Sequence, residues 1–228
     1  MKAMILAAGL GSRLQPLTKT VPKPMLLLRG KPLLQWHIER LVSAGIREVV
    51  VNTSWLGEQI QNYFGTGEDF GIAITWSSEV EPLETGGGIY KALHLLGDDP
   101  FILMSADIWT DFPLEIFTEK DVDQIPSAHL VLVQNPEHNS GGDFSLENHI
   151  VGYGQERYTY SGIGIVSSQL FKPLKTTSKV FPLREVLKPA ILSGQVTGEI
   201  YAGDWCDVGT VGRYDNLNKR LLETFNAV

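Results

Sequence analysis

The chain has 228 residues, 43% hydrophobic and 20% charged, enough to bury about 70% of its unfolded surface in a core without covalent staples. Its one cysteine, Cys206, excludes an intramolecular disulfide and fits a reducing cytoplasm. A net charge of −7 argues against a nucleic-acid binder, since counterion release needs a basic face, and no apolar run approaches the about 18 residues of a membrane span.

In chain order, short apolar runs alternate with segments of helical period, the pattern of βαβ units and a parallel sheet. Strands are predicted at Ala3–Ala7, Glu48–Asn52, Ala73–Trp76, Phe101–Ser105 and His129–Val133. Helices are predicted at Leu33–Ala44, Trp55–Phe64 and Gly87–Leu96, each ending near glycine or a turn cluster. The start, Met1 to Gly9, reads as a first strand rather than a signal peptide. From 135 to 166, turn residues such as Asn139-Ser140-Gly141-Gly142 punctuate short alternating runs, including Tyr158–Val166. These suggest antiparallel strands across or beside the main sheet. Helices near Pro182–Leu192 and Val211–Phe225 close the chain. The expected fold is α/β, a Rossmann-like doubly wound mixed sheet with a small antiparallel β elaboration. It forms a single domain over 1–228, in two halves, 1–134 and 135–228.

The charge is unevenly spread. Residues 1–40 hold seven basic side chains against the acid Glu39, a balance of +6, while the remainder holds 12 basic and 25 acidic groups, or −13. A basic pole on an acidic body suits a small anion better than a long polyanion. Ligands of open α/β sheets sit beyond the carboxyl ends of the strands, so the loops there matter most. After the first strand comes Ala8-Gly9-Leu10-Gly11-Ser12-Arg13-Leu14. Glycines here let backbone N–H groups approach an anion, although a Gly-x-Gly by itself also describes a tight turn. Leu14 stands where a dinucleotide fingerprint has its third glycine, and no Gly-Lys-Ser/Thr follows. Arg13, and Lys23 clamped between Pro22 and Pro24, tip the reading towards phosphate binding. The five histidines show no metal-ligand spacing, the five tryptophans lack the basic interleaving of a single-strand binding platform, and Cys206 reads as a small buried neighbour.

The run from Leu6 to Leu14, with Pro16-Leu17-Thr18 and Pro22-Lys23-Pro24-Met25, resembles the signature of sugar-1-phosphate nucleotidylyltransferases. Glu81 to Gly88, Ala106-Asp107 and Trp205 to Thr210 continue the resemblance along essentially the whole chain. Glu84 to Gly88, Asp107 to Asp111, Asn135 to His138 with Gly142-Asp143-Phe144, and Tyr160 to Gly164 are similar to one branch. That branch comprises the uridylyltransferases of N-acetylmuramate 1-phosphate in cell-wall recycling. Ser105 departs from its usual asparagine.

The resemblance implies attack of a sugar 1-phosphate oxygen on the α-phosphorus of UTP, with release of pyrophosphate. Arg13 and Lys23 would serve the phosphates, with Gly11 and Ser12 giving backbone N–H groups. Ser78 and Leu83 would read the base, with Gly86 to Gly88 allowing close approach. Ser105, Gly142, Asp143 and Glu156 are the acceptor candidates, and Trp109 a wall of the sugar pocket. Asp107 and Asp207 would hold Mg²⁺, although Asp207 could instead cap the helix that follows. Two alternatives stay open: another nucleotide and sugar (guanylyl transfer to mannose or heptose 1-phosphate, thymidylyl transfer to glucose 1-phosphate), or a non-catalytic sugar-nucleotide sensor. Neither nucleic acid nor a membrane is expected as a partner, and oligomeric state is not legible.

Overall fold

A computed structural model describes residues 1–120, 125–172, 174 and 178–226. Its elements are β1 (Ala3–Leu6), β2 (Leu27–Leu28), β3 (Lys31–Pro32), α1 (Leu33–Ser43), β4 (Glu48–Thr53), α2 (Gly57–Phe64), β5 (Ala73–Ser78), α3 (Glu84–Leu96) and β6 (Phe101–Ser105). There follow β7 (Ile108–Thr110), α4 (Glu115–Glu119), β8 (Ala128–Val133), β9 (Ser145–Glu147), β10 (Ile150–Gly152), β11 (Thr159–Val166), α5 (Leu183–Leu192), β12 (Val196–Tyr201), β13 (Trp205–Asp207) and α6 (Val211–Asn226).

The main sheet has nine strands in the order β5-β4-β1-β6-β11-β8-β12-β10-β9. β5, β4, β1 and β6 run parallel. Helices cover both faces, which is why the central strands read as near-continuous apolar runs. Side chains alternate across the sheet. Ala3 and Ile5 of β1 join one core with Leu34, Ile38 and Leu41 of α1. Met4 joins the other with Ile89 and Ala92 of α3 and Leu187 and Ile191 of α5. α6 packs a third cluster, Leu217 and Leu221, on Leu28, Leu33 and Val208.

The antiparallel part differs from expectation in position. β11 is not beside the sheet but within it, antiparallel to β6 on one side and to β8 on the other. β12, not anticipated from the sequence, pairs parallel to β8. Only the short β9 and β10 form an edge elaboration. A register shift between Tyr160 and Gly164 marks a bulge in β11, the usual device for re-aiming a strand beside a site.

From β1 the chain crosses to β4 on one side, whereas β6 lies on the other. The switch point of this doubly wound sheet is therefore at the carboxyl ends of β1 and β6, where a crevice is expected.

Candidate active site

Two cavities meet at that switch point. The first, about 440 Å³, is lined by Leu6 to Leu14, Lys23, Asn52, Glu79, Glu84 and Ser105 to Asp107, among others. The second, about 850 Å³, is reached across Glu84, Thr85, Ser105 and Asp107, which line both. Its far walls come from Gly142, Asp143 and Asp207, with Tyr160 and Trp205.

The loop after β1 turns at Gly11, which has φ 64°, and a Cβ there would stand 2.9 Å from Thr18 Cγ2. The Thr18 hydroxyl donates to the Gly11 carbonyl at 2.7 Å, locking the turn. Ser12–Leu14 then begin a short 3₁₀ turn, and the first N–H groups of such a turn have no intrahelical acceptor. They lie in the wall of the first cavity with the exposed Arg13, which forms no ion pair among the described residues. Lys23 is held in a second 3₁₀ turn. Its side chain is only 9% exposed and its Nζ lies 2.7 Å from Asp107 Oδ2. An ammonium this buried needs such a counter-charge.

The floor of the first cavity is a hydrogen-bonded chain. Asn52, next to last in β4, accepts from the Ala7 N–H at 2.8 Å, while its Nδ2 donates to Glu79 Oε1 at 2.7 Å. The other oxygen of the buried Glu79 accepts from the Leu83 N–H at 2.9 Å. Three strand-end loops are thereby tied together and the Glu79 charge is satisfied. Glu84 opens α3 at φ 58°, a strained backbone for a side chain of this kind, and faces both cavities.

Asp107, directly before β7, and Asp207, the last residue of β13, lie 100 residues apart in the chain but side by side in the fold. β13 pairs antiparallel with β7, Asp207 standing opposite Ile108, and the Val208 N–H donates to the Asp107 carbonyl at 2.7 Å. Asp207 is bracketed by His138 Nε2 at 3.0 Å and Arg213 at 3.0 Å. Thr210, rather than Asp207, accepts the Arg213 N–H at the start of α6. Among the described residues no group of three His, Cys, Asp or Glu forms a metal cage. Two carboxylates beside a phosphate-sized cavity still fit Mg²⁺, which keeps water and substrate phosphates as its other ligands. Burial and the Asp207 charge push the Cys206 thiol up, which works against a reactive thiolate at this position.

Several expected site residues lie elsewhere. Ser78 points to the α2 side, its hydroxyl accepting from Gln61 at 2.9 Å and its carbonyl taken by Lys91. Leu83 faces an outer groove with Val80 and Tyr90. In place of both, Glu79, Pro82 and Glu84 from that segment line the first cavity. Glu156 is exposed and accepts from the Tyr158 hydroxyl at 2.9 Å, away from both cavities. Trp109 packs on the α6 cluster, and Trp205 takes the cavity position expected of it, its ring N–H donating to the Ser161 carbonyl at 2.9 Å. Asp143 lines the second cavity while accepting from the Tyr160 N–H at 2.8 Å and from Asn139 at 3.2 Å. Gly86 and Gly87 are buried against Phe181, whose carbonyl accepts both their N–H groups at 2.9 and 3.0 Å. Their close approach is thus to the segment before α5 rather than to a base.

Residues 2–142 match the family model for nucleotidyl transferases. The chain belongs to this family. It is 44% identical over 220 residues to an N-acetylmuramate alpha-1-phosphate uridylyltransferase of Neisseria meningitidis, covering 93% of this chain and 95% of the relative. A mannose-1-phosphate guanyltransferase of Gibberella zeae is 30% identical, and there the match covers 92% of this chain but 61% of the relative's length. A Bacillus anthracis structure assigned as a glucose-1-phosphate thymidylyltransferase, crystallised with sucrose, superposes with a TM-score of 0.87 at 22% identity, covering 96% of this chain and 94% of that one. HddC from Yersinia pseudotuberculosis with GMP-PN superposes with a TM-score of 0.80 at 22% identity, covering 96% and 99%. The chain is therefore a nucleotidyltransferase, with the α/β fold of its structural neighbours. Among its described residues no helix is long and apolar enough to cross a membrane.

Proposed function

We propose that this nucleotidyltransferase transfers UMP from UTP to N-acetylmuramate 1-phosphate, giving UDP-N-acetylmuramate and pyrophosphate, as a step of cell-wall recycling in the cytoplasm. The observation that carries the reading is the pair of cavities joined at Asp107 and Ser105, one beside a phosphate-binding loop and one roomy enough for an amino sugar. The near full-length similarity to the Neisseria enzyme supports the choice of substrates.

The nucleophile arrives with the acceptor, so the protein's task is positioning and charge stabilisation. An oxygen of the sugar phosphate attacks the α-phosphorus, that P–O bond forms, and the bond to the β-phosphate oxygen breaks as pyrophosphate leaves. Arg13 is assigned to the β- and γ-phosphates, where a planar guanidinium bridges two oxygens. Lys23 is assigned to the α-phosphate or the incoming phosphate, and the N–H groups of Gly11 and Ser12 to the triphosphate. Asp107 and Asp207 would hold Mg²⁺, which supplies charge neutralisation on the phosphates. Ser105 offers a hydroxyl where both cavities meet, and Gly142 and Asp143 shape the sugar side. Gly162, at φ 82°, leaves room for Ser105, since a Cβ there would lie 2.9 Å from its Oγ.

A panel pairing each nucleoside triphosphate with each sugar 1-phosphate and Mg²⁺, read by pyrophosphate release, tests the assignment. UTP with N-acetylmuramate 1-phosphate is expected to be the fastest pair. A faster pair with GTP and mannose 1-phosphate, or dTTP and glucose 1-phosphate, would move the assignment to that reaction, and no release with any pair would leave a sensor.

A further inference from the structure

The second cavity carries an uneven set of charges. Of its four acids, Asp107 is paired with Lys23, Asp207 with His138 and Arg213, and Asp143 accepts two N–H groups, while Glu84, at the junction with the first cavity, forms no ion pair among the described residues. Its one lysine or arginine among the described residues is Arg184. This side chain is exposed and makes no hydrogen bond or ion pair among the described residues. It is nonetheless well placed rather than adrift. Arg184 stands in the first turn of α5, between the buried Leu183 and Val186. The Leu183 N–H donates to Thr85 Oγ1 at 2.8 Å, and the Phe181 carbonyl accepts from Gly86 and Gly87. The start of α5 is thus bolted to the start of α3, whose Glu84 and Thr85 line both cavities. The backbone that carries Arg184 is thereby held in register with the nucleotide side, its neighbour Glu185 is absent from the cavity lining, and the positive end of α5 adds to the field there.

A neutral hexose phosphate has no use for such a cation, because its phosphate belongs at the junction with Lys23 and Asp107. An N-acetylmuramate differs from its N-acetylglucosamine counterpart by a lactyl ether that ends in a carboxylate. We propose that Arg184 binds that carboxylate and so selects an acidic amino sugar over neutral ones. The inference rests on the acceptor assignment above and names the residue that reads it. Arginine suits the role because its fork meets a carboxylate through two parallel N–H donors.

The test compares kcat/KM for N-acetylmuramate 1-phosphate and N-acetylglucosamine 1-phosphate, with UTP and Mg²⁺, in the wild type, Arg184→Gln and Lys188→Gln. Lys188 is exposed on the same helix and outside the cavity lining. The preference for the acidic sugar is expected to fall about tenfold in Arg184→Gln, the scale of one charge-assisted pair, and to persist in Lys188→Gln. A second arm uses N-acetylmuramate 1-phosphate methylated on the lactyl carboxylate. Methylation should cost the wild type about as much as the substitution does, and cost Arg184→Gln little. A wild type that prefers the acidic sugar while Arg184→Gln keeps that preference overturns the role of Arg184 alone. A wild type with no preference for the acidic sugar overturns the acceptor assignment and this inference with it.

Discussion

Lys23 and Asp107 divide a single contact into unequal shares of solvent. The ammonium side chain is 9% exposed and the carboxylate 43%, so the cation depends on its partner more than the reverse. Asp107→Asn removes one of the two carboxylates assigned to Mg²⁺ and the counter-charge from Lys23, without emptying any core position. Turnover is expected to fall by at least about two orders of magnitude, as when a principal charge-stabilising group is lost. Circular dichroism at the assay temperature should match the wild type while the thermal midpoint falls, because the buried Lys23 loses its counter-charge, and near-normal pyrophosphate release would remove Asp107 from the chemistry. Arg13, Lys23 and Asp107 were legible in the chain because each sits in a short run whose glycines, prolines or strand end have an immediate meaning. Asn52 and Glu79 were not, since they act through hydrogen bonds spanning 45 and 27 residues. A polar residue near the end of the apolar β4 was the one signal available. Arg184 and Trp205 had none, because only the pairing of distant elements brings them to the second cavity.

At the level of elements, α3 shows how a local reading goes astray. Its triple glycine looks like an opening for a ligand and a late helix start, yet the helix begins at Glu84 and takes the glycines into its first turns. They are there because another segment passes close by: a Cβ on Gly87 would lie 2.2 Å from the Lys179 carbonyl oxygen. Helix propensity alone would favour alanine by about 1 kcal/mol. We expect packing to win, with Gly87→Ala costing about 1–3 kcal/mol, and to loosen the α3–α5 junction on which Arg184 depends. Gly212 of α6 is the contrasting case, exposed, with nothing within 4 Å of its would-be Cβ and no positive φ. There the same change should add up to about 1 kcal/mol. Urea unfolding of the two variants beside the wild type reads both signs, and a stabilised Gly87→Ala would mean that the neighbouring segment is free to move away.

For the molecule as a whole, periodicity revealed the parallel strands and covering helices, but no local pattern could announce that β11 enters the middle of the sheet. That placement is decided by which strand edges remain unpaired once β1, β4, β5 and β6 have assembled, a long-range matter. The site likewise draws on distant parts of the chain, with Asp107 and Asp207 brought together by the separate pairing of β7 and β13. Beneath this junction lies His37 of α1, fully buried, its ring against the backbone of Ala106 and Ile108 without a well-formed hydrogen bond. Burial, aided by the Arg40 charge, pulls its pKa from the ordinary 6.5 to about 4. The unfolded chain therefore takes up the proton first as pH falls. The stability contributed by neutral His37 is fully present above about pH 6.5 and is lost progressively as pH falls towards about 4. At pH 5 the loss amounts to about 2 kcal/mol. His37→Leu keeps the side chain apolar and non-titrating, so between pH 7 and pH 5 its unfolding free energy should decline less than that of the wild type by about this amount. Denaturant titrations at the two pH values measure the difference directly. Equal declines in both proteins would mean that protonated His37 finds a partner or a route to water in the folded state beneath the two aspartates.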